Sequence, residues 1–265
     1  MKQSCLVIFP VYKPLDGIEQ MAFRQAIAMT EGFERRFIAP HSFVFDDSFQ
    51  SFSGIETERF DDSFFAGLQG YNKLMLNIEF YKRFESYRYI LIHQADAYLF
   101  TPRLRYWCNK GYDYVGAPWY EPRKLEKYNI YKFAFDWLKP FIRREKLLRW
   151  RHFNNVGNGG LSLRNVETFI KVLSKVDKAL LQMYIDNESH FFHEDIFWSL
   201  EAPGIYKPFK KPGWEEALAF SFENQPARAF EYMKEVLPFG CHAYIQCDPL
   251  FWERYIPFKE NIARK

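Results

Sequence analysis

The sequence predicts an α/β fold with a mostly parallel central sheet flanked by helices. Three observations lead there. Short continuous apolar runs, "SCLVIFPVYK" first among them, read as strands buried on both faces. Between them lie segments whose apolar residues recur every three or four positions, as on a helix that packs one face against a sheet. Over the first hundred residues the two kinds of segment alternate, which is the pattern of parallel strands joined by crossover helices.

The first strand ends at Pro10. Leu15 to Thr30 follows, with Ile18, Ala22, Ala26 and Met29 at helical spacing. "RRFIAP" is a second strand closed by Pro40, and "IETERFD" is a third, rich in β-formers at alternate positions. "FFAGLQGYNKLMLNIEFYKRF" carries Leu68, Tyr71, Leu74, Met75, Ile78 and Tyr81 on one helical face. A buried strand over Arg88 to Ala95 comes next. The second half is less regular. "GYDYVGAPW" is a short strand running into a Gly-Ala-Pro turn. "NNVGNGGLSLRNVETFIKVL" is a Gly-rich loop, a short strand and a helix capped by Asn165. "HFFHEDIFWSLEA" places acids at the start of another helix, and "LPFGCHAY" is a last short strand bearing a histidine.

Composition narrows the function. The chain has 265 residues, 48% of them hydrophobic, enough for one large domain or two small ones. A net charge of +3 is too small to make nucleic acid the main partner. Aromatic residues reach 20%, which suits core packing and also a site that stacks on flat or ring-shaped ligands. The four cysteines are scattered without a CxxC pair, so a thiolate zinc site is not expected and a reducing compartment is. The apolar run from Cys5 to Val11 is too short for a signal-peptide core, and no 18-residue apolar segment occurs. The expectation is a soluble cytoplasmic protein, at most attached to the inner face of the cytoplasmic membrane.

Four constellations could carry chemistry. In "ILIHQADAYLF" an apolar strand runs into Gln94 and Asp96. Hard divalent cations take oxygen ligands, often one or two carboxylates completed by substrate phosphates. A carboxylate at the carboxyl end of a strand in a parallel sheet stands where ligands bind; an Asp that merely caps a turn would look the same. "NVGNGGLSLR" supplies Gly157, Gly159 and Gly160, which permit close backbone approach, and Asn158, which both donates and accepts. It matches neither the P-loop nor the GxGxxG pattern, and an ordinary tight turn would share it. "HEDIFW" sets Glu194 and Asp195 before an apolar helical stretch, either as simple capping or as a positioned base. "FGCHAY" holds His242, a packed residue or an imidazole ligand.

Taken in order, strand-end Q-x-D, "YDYVGAPW", "GNGGLSLR", "HEDIFW" and "FGCH" resemble the GT-A class of nucleotide-sugar glycosyltransferases. More narrowly, the chain resembles a bacterial glycosyltransferase-like family, the DUF5672 group, from "VIFPVYKP" to "FGCHAY". The resemblance implies a GT-A (Rossmann-like) fold with a short antiparallel part in the C-terminal half. It also implies one catalytic domain over 1–265, with a nucleotide-binding half at 1–105 and an acceptor and catalytic half at 106–265. Asp96 and His242 would hold Mn²⁺ or Mg²⁺ against the diphosphate of a nucleoside-diphosphate sugar, probing a D-x-D whose first acid is here Gln94. Pro10, Val11 and Tyr12 would receive the nucleotide, with Asp61 and Lys73 as further base and phosphate contacts. Asn158, Gly159 and Gly160 would line the sugar pocket. Asp195 would act as catalytic base, with Glu194 positioning the acceptor, in an inverting transfer from a UDP-sugar.

The acceptor would be a glycan or lipid-linked oligosaccharide of the bacterial cell surface. The stretch Glu121 to His152 holds ten Lys or Arg against four Asp or Glu with seven aromatics interleaved. It is where the acceptor or an anionic membrane surface would be met, through Trp137, Phe141 and Trp150 among Arg143, Arg144, Lys146 and Arg149. A helical lid packed on the domain is the plainer reading of that stretch. Two other functions fit parts of the pattern: a non-catalytic carbohydrate-binding module, and a nucleotidyltransferase, which would want a basic Gly-rich loop after the first strand.

Overall fold

A computed structural model describes residues 3–120 and 144–258. The strands are β1 (Gln3–Pro10), β2 (Glu34–Pro40), β3 (Glu56–Phe60), β4 (Tyr87–His93), β5 (Ala97–Leu99), β6 (Tyr114–Val115), β7 (Leu161–Asn165), β8 (Ser221–Phe222) and β9 (Gly240–His242). The main sheet has the order β3-β2-β1-β4-β7-β6. Its first four strands are parallel, β7 runs antiparallel to β4, and β6 antiparallel to β7. The mostly parallel sheet and its short antiparallel part are therefore as expected.

The apolar run of β1 is a two-sided strand. Leu6 and Ile8 join Ile38, Ile90 and Ile92 in one core, while Val7 and Phe9 join Phe37, Tyr89 and Leu91 in the other. Side chains alternate across the sheet plane, so a strand covered on both faces has no polar side to show in its sequence. Helix α1 (Gly17–Met29) covers one face through Phe23 and Ala26. A capping box starts it: Asp16 accepts from the Ile18 and Glu19 amides, and Glu19 accepts from the Asp16 amide.

The helical segment before β4 is broken. Helix α2 (Gly67–Met75) ends and α3 (Ile78–Lys82) begins afresh, with Asn77 accepting from the Glu79 amide at 2.9 Å. An Asn side chain offers the backbone a non-helical partner, and this local bond ends the longer periodicity. The Tyr81 hydroxyl donates to the Met75 carbonyl at 2.8 Å, which satisfies an acceptor at the end of α2. Both pieces still bury Leu74, Met75, Phe80 and Tyr81 in the same core. Helix α4 (Leu104–Asn109) covers the opposite face. The basic, aromatic stretch is described only from α5 (Arg144–Arg151) onward, where Arg144, Lys146 and Arg149 are exposed. Trp137, Phe141 and Arg143 lie outside the described residues, as does the side chain of Trp150. Helix α6 (Val166–Lys175) is capped as expected, Asn165 accepting from the Thr168 amide. Helix α7 (Lys178–Asp186) follows.

A second sheet, β5-β9-β8, stands apart from the main one. β5 and β9 are antiparallel with Ala97 opposite His242, and β8 runs parallel to β9 with Phe222 opposite Cys241. This small sheet brings three distant segments to the end of β4. Among the described residues, no helix is long and apolar enough to cross a membrane.

Candidate functional site

The strand order reverses between β1 and β4, and a crevice opens at their carboxyl ends, where parallel α/β sheets bind ligands. The cavity there holds about 390 Å³. Pro10, Val11 and Tyr12 form its wall on the β1 side, and Gln94, Ala95 and Asp96 on the β4 side. Tyr71 of α2 and Lys13 also line it. Tyr12 is 55% exposed at the lip, so its ring is open to a stacking partner. Lys13 pairs with Glu19 at 2.7 Å.

Asp96 and His242 meet because β5 and β9 pair in register. His242 Nε2 lies 3.1 Å from Asp96 Oδ1 and 3.1 Å from Gln94 Oε1. On the other side of the ring, His242 Nδ1 lies 3.5 Å from Glu223 Oε1. Glu223 directly follows β8, and the β8–β9 pairing carries it alongside His242. Burial alone would lower the imidazole pKa, but the Asp96 and Glu223 carboxylates outweigh it and raise it to about 10. Burial works to raise the pKa of Asp96, yet the facing imidazolium holds it below the usual carboxylate value. At neutral pH the two form an ion pair. For an imidazole whose folded pKa lies above its ordinary 6.5, the stabilisation is complete below that value and is lost as pH rises through about 10.

The Gly-rich loop is packed directly against this pair. The Gln94 amide donates to the Gly160 carbonyl at 2.9 Å, tying the loop to the end of β4. A Cβ on Gly160 would lie 2.0 Å from His242 Nε2, and one on Gly159 would lie 1.9 Å from Glu194 Oε1. These two glycines exist so that an imidazole and a carboxylate can close on the backbone. Gly160→Ala is expected to push the His242 ring off Asp96 and Gln94. Its pKa should then fall from about 10 toward the ordinary imidazole value in an NMR titration of the histidine Cε1–H resonances. An unchanged titration would show that the ring does not depend on the glycine.

Behind the loop sits a buried ion pair. Arg164 of β7 donates from Nη1 to Glu194 Oε2 at 3.0 Å and from Nη2 to Glu194 Oε1 at 2.8 Å, and neither side chain is more than 5% exposed. Arg164 also donates to the Tyr81 hydroxyl and to Ser162 Oγ. Glu194 opens helix α8 (Glu194–Ile196), which continues as a π turn over Phe197–Glu201. Its amide donates to Asn72 Oδ1 at 2.6 Å, a cap supplied from α2. Asp195 is next along the chain and remains partly exposed. Burial first, then the Glu194 carboxylate, pushes its pKa up to about 7, with Glu223 adding to the rise; the Ile196 amide and Arg164 pull the other way.

Several expected placements need correction. Asp61 is exposed and caps a turn, accepting from the Ser63 amide at 2.9 Å. Lys73 is half-buried on α2, and neither residue is among the described residues lining the cavity. The segment between them does reach the crevice, through Phe65, Gly67, Leu68 and Tyr71, while Asp61 and Lys73 themselves are not in its lining. Asn158 is buried and turns its side-chain oxygen onto the Gly160 amide at 3.0 Å, so it holds the loop together. Glu194 has both oxygens on Arg164. Sequence reasoning passed over Arg164, Glu223, Tyr71 and Gln246. Arg164 had a signal, as the one charge inside an apolar strand pattern. Glu223 had none, since only the β8–β9 pairing brings it to His242.

The donor set suits a divalent cation in part. Asp96 Oδ1, Gln94 Oε1 and His242 Nε2 converge, an oxygen and imidazole combination that would accept Mn²⁺ once the cation displaces the Nε2 proton of the ion pair. No group of three His, Cys, Asp or Glu that could hold a metal occurs among the described residues, so substrate oxygens or water would have to complete the shell.

A family model described as "Protein of unknown function (DUF5672)" matches residues 54–242. No curated protein matches the sequence. Among solved structures, the chain is similar to apo WbbM, described as a bifunctional glycosyltransferase, with a TM-score of 0.56 at 14% identity. That match covers 99% of this chain and 50% of the WbbM chain, so the chain spans half of WbbM. An active-site mutant of LgtC matches with a TM-score of 0.50 at 14% identity over 98% of this chain and 95% of the other. Apo mouse xyloside xylosyltransferase 1 matches with a TM-score of 0.53 at 12% identity over 92% and 98%. The fold is of the GT-A type.

Proposed function

The chain belongs to the DUF5672 family, and on that premise we propose that it is a glycosyltransferase moving a sugar from a nucleoside diphosphate to an acceptor hydroxyl. The observation that carries the reading is the crevice at the β1 and β4 ends, where Asp96, Gln94 and His242 converge beside an exposed tyrosine. A nucleoside diphosphate fits that arrangement by chemistry. The base stacks at Tyr12, the diphosphate lies toward Lys13 and the Asp96–His242 pair, and UDP is the donor nucleotide most in keeping with the family resemblance.

In this reading Asp96 and His242, with Gln94 beside them, would hold Mn²⁺ or Mg²⁺, which when bound offsets the charge of the departing diphosphate. Asp195, poised near neutral pH, accepts the proton of the attacking hydroxyl. The new bond forms between that oxygen and the anomeric carbon. The bond from the anomeric carbon to the diphosphate breaks, and the nucleoside diphosphate leaves with the electron pair. One displacement inverts the anomeric centre. Arg164 and Glu194 act behind Asp195 as positioning residues, fixing the start of α8. The acceptor is a glycan or lipid-linked oligosaccharide met in the cytoplasm or at the inner membrane face, where exposed Arg144, Lys146 and Arg149 would favour anionic lipid.

The test is thermal stabilisation by UDP with Mn²⁺, together with UDP release from a panel of UDP-sugars. Wild type is expected to be stabilised, and Asp96→Ala is expected to lose that shift and to lower turnover by about 10²-fold or more. Pyrophosphate release from UTP would mark a nucleotidyltransferase instead. Glycan binding indifferent to UDP and Mn²⁺ would mark a non-catalytic module, and either result would sink the reading.

A further inference from the structure

Asp96 and Glu223 lie on opposite sides of His242, and a second cavity of about 440 Å³ opens beside them. Trp119, Tyr120 and Phe153 supply its aromatic wall, and Asn224, Gln225 and Gln246 its amide wall. Two links join it to the first cavity. Gln246 lines both, and its Nε2 lies 3.5 Å from Asp96 Oδ2. Asn224 and Gln225 follow Glu223 directly, so the amide wall starts beside the His242 ring. The two cavities therefore share a wall at Gln246, beside Asp96.

The lining chemistry differs between the two. The first cavity carries Lys13, Glu19 and Asp96. The described lining of the second carries no Lys, Arg, Asp or Glu; its polar groups are amides, the His152 imidazole and the Cys247 thiol. Among these described lining residues a charged ligand would find no counter-ion. A pyranose has an apolar C–H face that packs on aromatic rings and hydroxyls that both donate and accept, as side-chain amides do. The volume is within the usual range of small-ligand sites, about 300–1,000 Å³.

The amide wall is also held in place. Gln225 adopts φ 53°, a left-handed conformation that costs a residue with a side chain, and Arg228 fixes its amide by donating to Oε1 at 2.8 Å. Ala243, next to His242, is held at φ 52°. Strain of this kind persists where the surrounding structure over-determines a conformation, commonly at binding sites.

We propose that this second cavity is the acceptor subsite and that it takes a neutral, unphosphorylated pyranose. The inference rests on the glycosyltransferase reading, and its test separates the two. Cys247 is the one exposed thiol, since Cys5, Cys108 and Cys241 are buried, so iodoacetamide places a carbamidomethyl group in this cavity alone. Neutral methyl α- and β-hexopyranosides, methyl β-D-glucuronide and glucose 6-phosphate serve as probes in saturation-transfer NMR. At least one neutral glycoside is expected to bind and to slow alkylation of Cys247. Asn224→Ala, and separately carbamidomethylation, should each weaken that binding about tenfold, the scale of one lost hydrogen bond, with stabilisation by UDP and Mn²⁺ retained. Retained UDP stabilisation with no neutral glycoside bound overturns the acceptor subsite and leaves the donor reading standing. Binding indifferent to both changes, or tighter binding of the charged sugars, also overturns it. Absence of UDP stabilisation removes the transferase reading and this subsite with it.

Discussion

Arg164→Met is expected to destabilise the protein by about 3–5 kcal/mol, lowering the melting temperature by roughly 6–20 °C. The reason is the partner it abandons. Glu194 lies almost wholly out of water and its two oxygens are satisfied by the two terminal nitrogens of Arg164. With the guanidinium gone, a carboxylate is left buried without a counter-ion, and the Tyr81 hydroxyl and Ser162 Oγ lose a donor. Urea denaturation measures the loss. The double change Arg164→Met with Glu194→Leu should recover much of it, because removing both charges avoids the stranded one. A double variant as unstable as the single would show that packing volume, and not the unpaired charge, sets the cost. The same pair fixes the first turn of α8, so a destabilised Arg164→Met protein should also lose transfer.

Asp195→Asn is expected to lower transfer by about 10²–10⁴-fold while leaving stabilisation by UDP and Mn²⁺ unchanged. An amide cannot take the proton from an attacking hydroxyl, and it removes little that a donor would touch. In wild type the rate should rise with pH through about 7 and then level, as the carboxyl ionises. Stability moves the opposite way. The folded pKa lies above the ordinary 3.8, so the native state holds the proton over the window from there to about 7. Stability therefore falls as pH rises through that window, and the penalty is complete above it. Asp195→Asn should flatten that part of the stability profile and be relatively more stable at pH 8 than wild type. Equal transfer by Asp195→Asn and wild type would remove Asp195 as base, and Glu223, the other carboxylate beside His242, would be the next residue to replace.

The legible parts of this protein were those governed by local pattern. β1 and β4 announced themselves as continuous apolar runs, since a strand covered on both faces must be apolar throughout, while β2 and the edge strand β3 were legible from their β-formers. The Asn165 cap was legible because an N-cap is a bond between near neighbours. The break between α2 and α3 was not, because Asn77 interrupts a periodicity that continues on either side of it. Asp61 follows the third strand and Lys73 lies on α2, but that sets order along the chain and not position in space.

The sequence by itself determined that the chain builds a mostly parallel α/β sheet and that a carboxylate stands at the carboxyl end of a central strand. Both follow from side-chain periodicity, which depends on neighbours one to four residues apart. Only the tertiary structure decided what that carboxylate meets. Asp96 and His242 are 146 positions apart, and Glu223 reaches the same ring from a third segment, through a small sheet of two- and three-residue strands too short to leave a pattern. Arg164 and Glu194 likewise find each other across thirty residues, because two buried charges must be paired and only the packed core says with what.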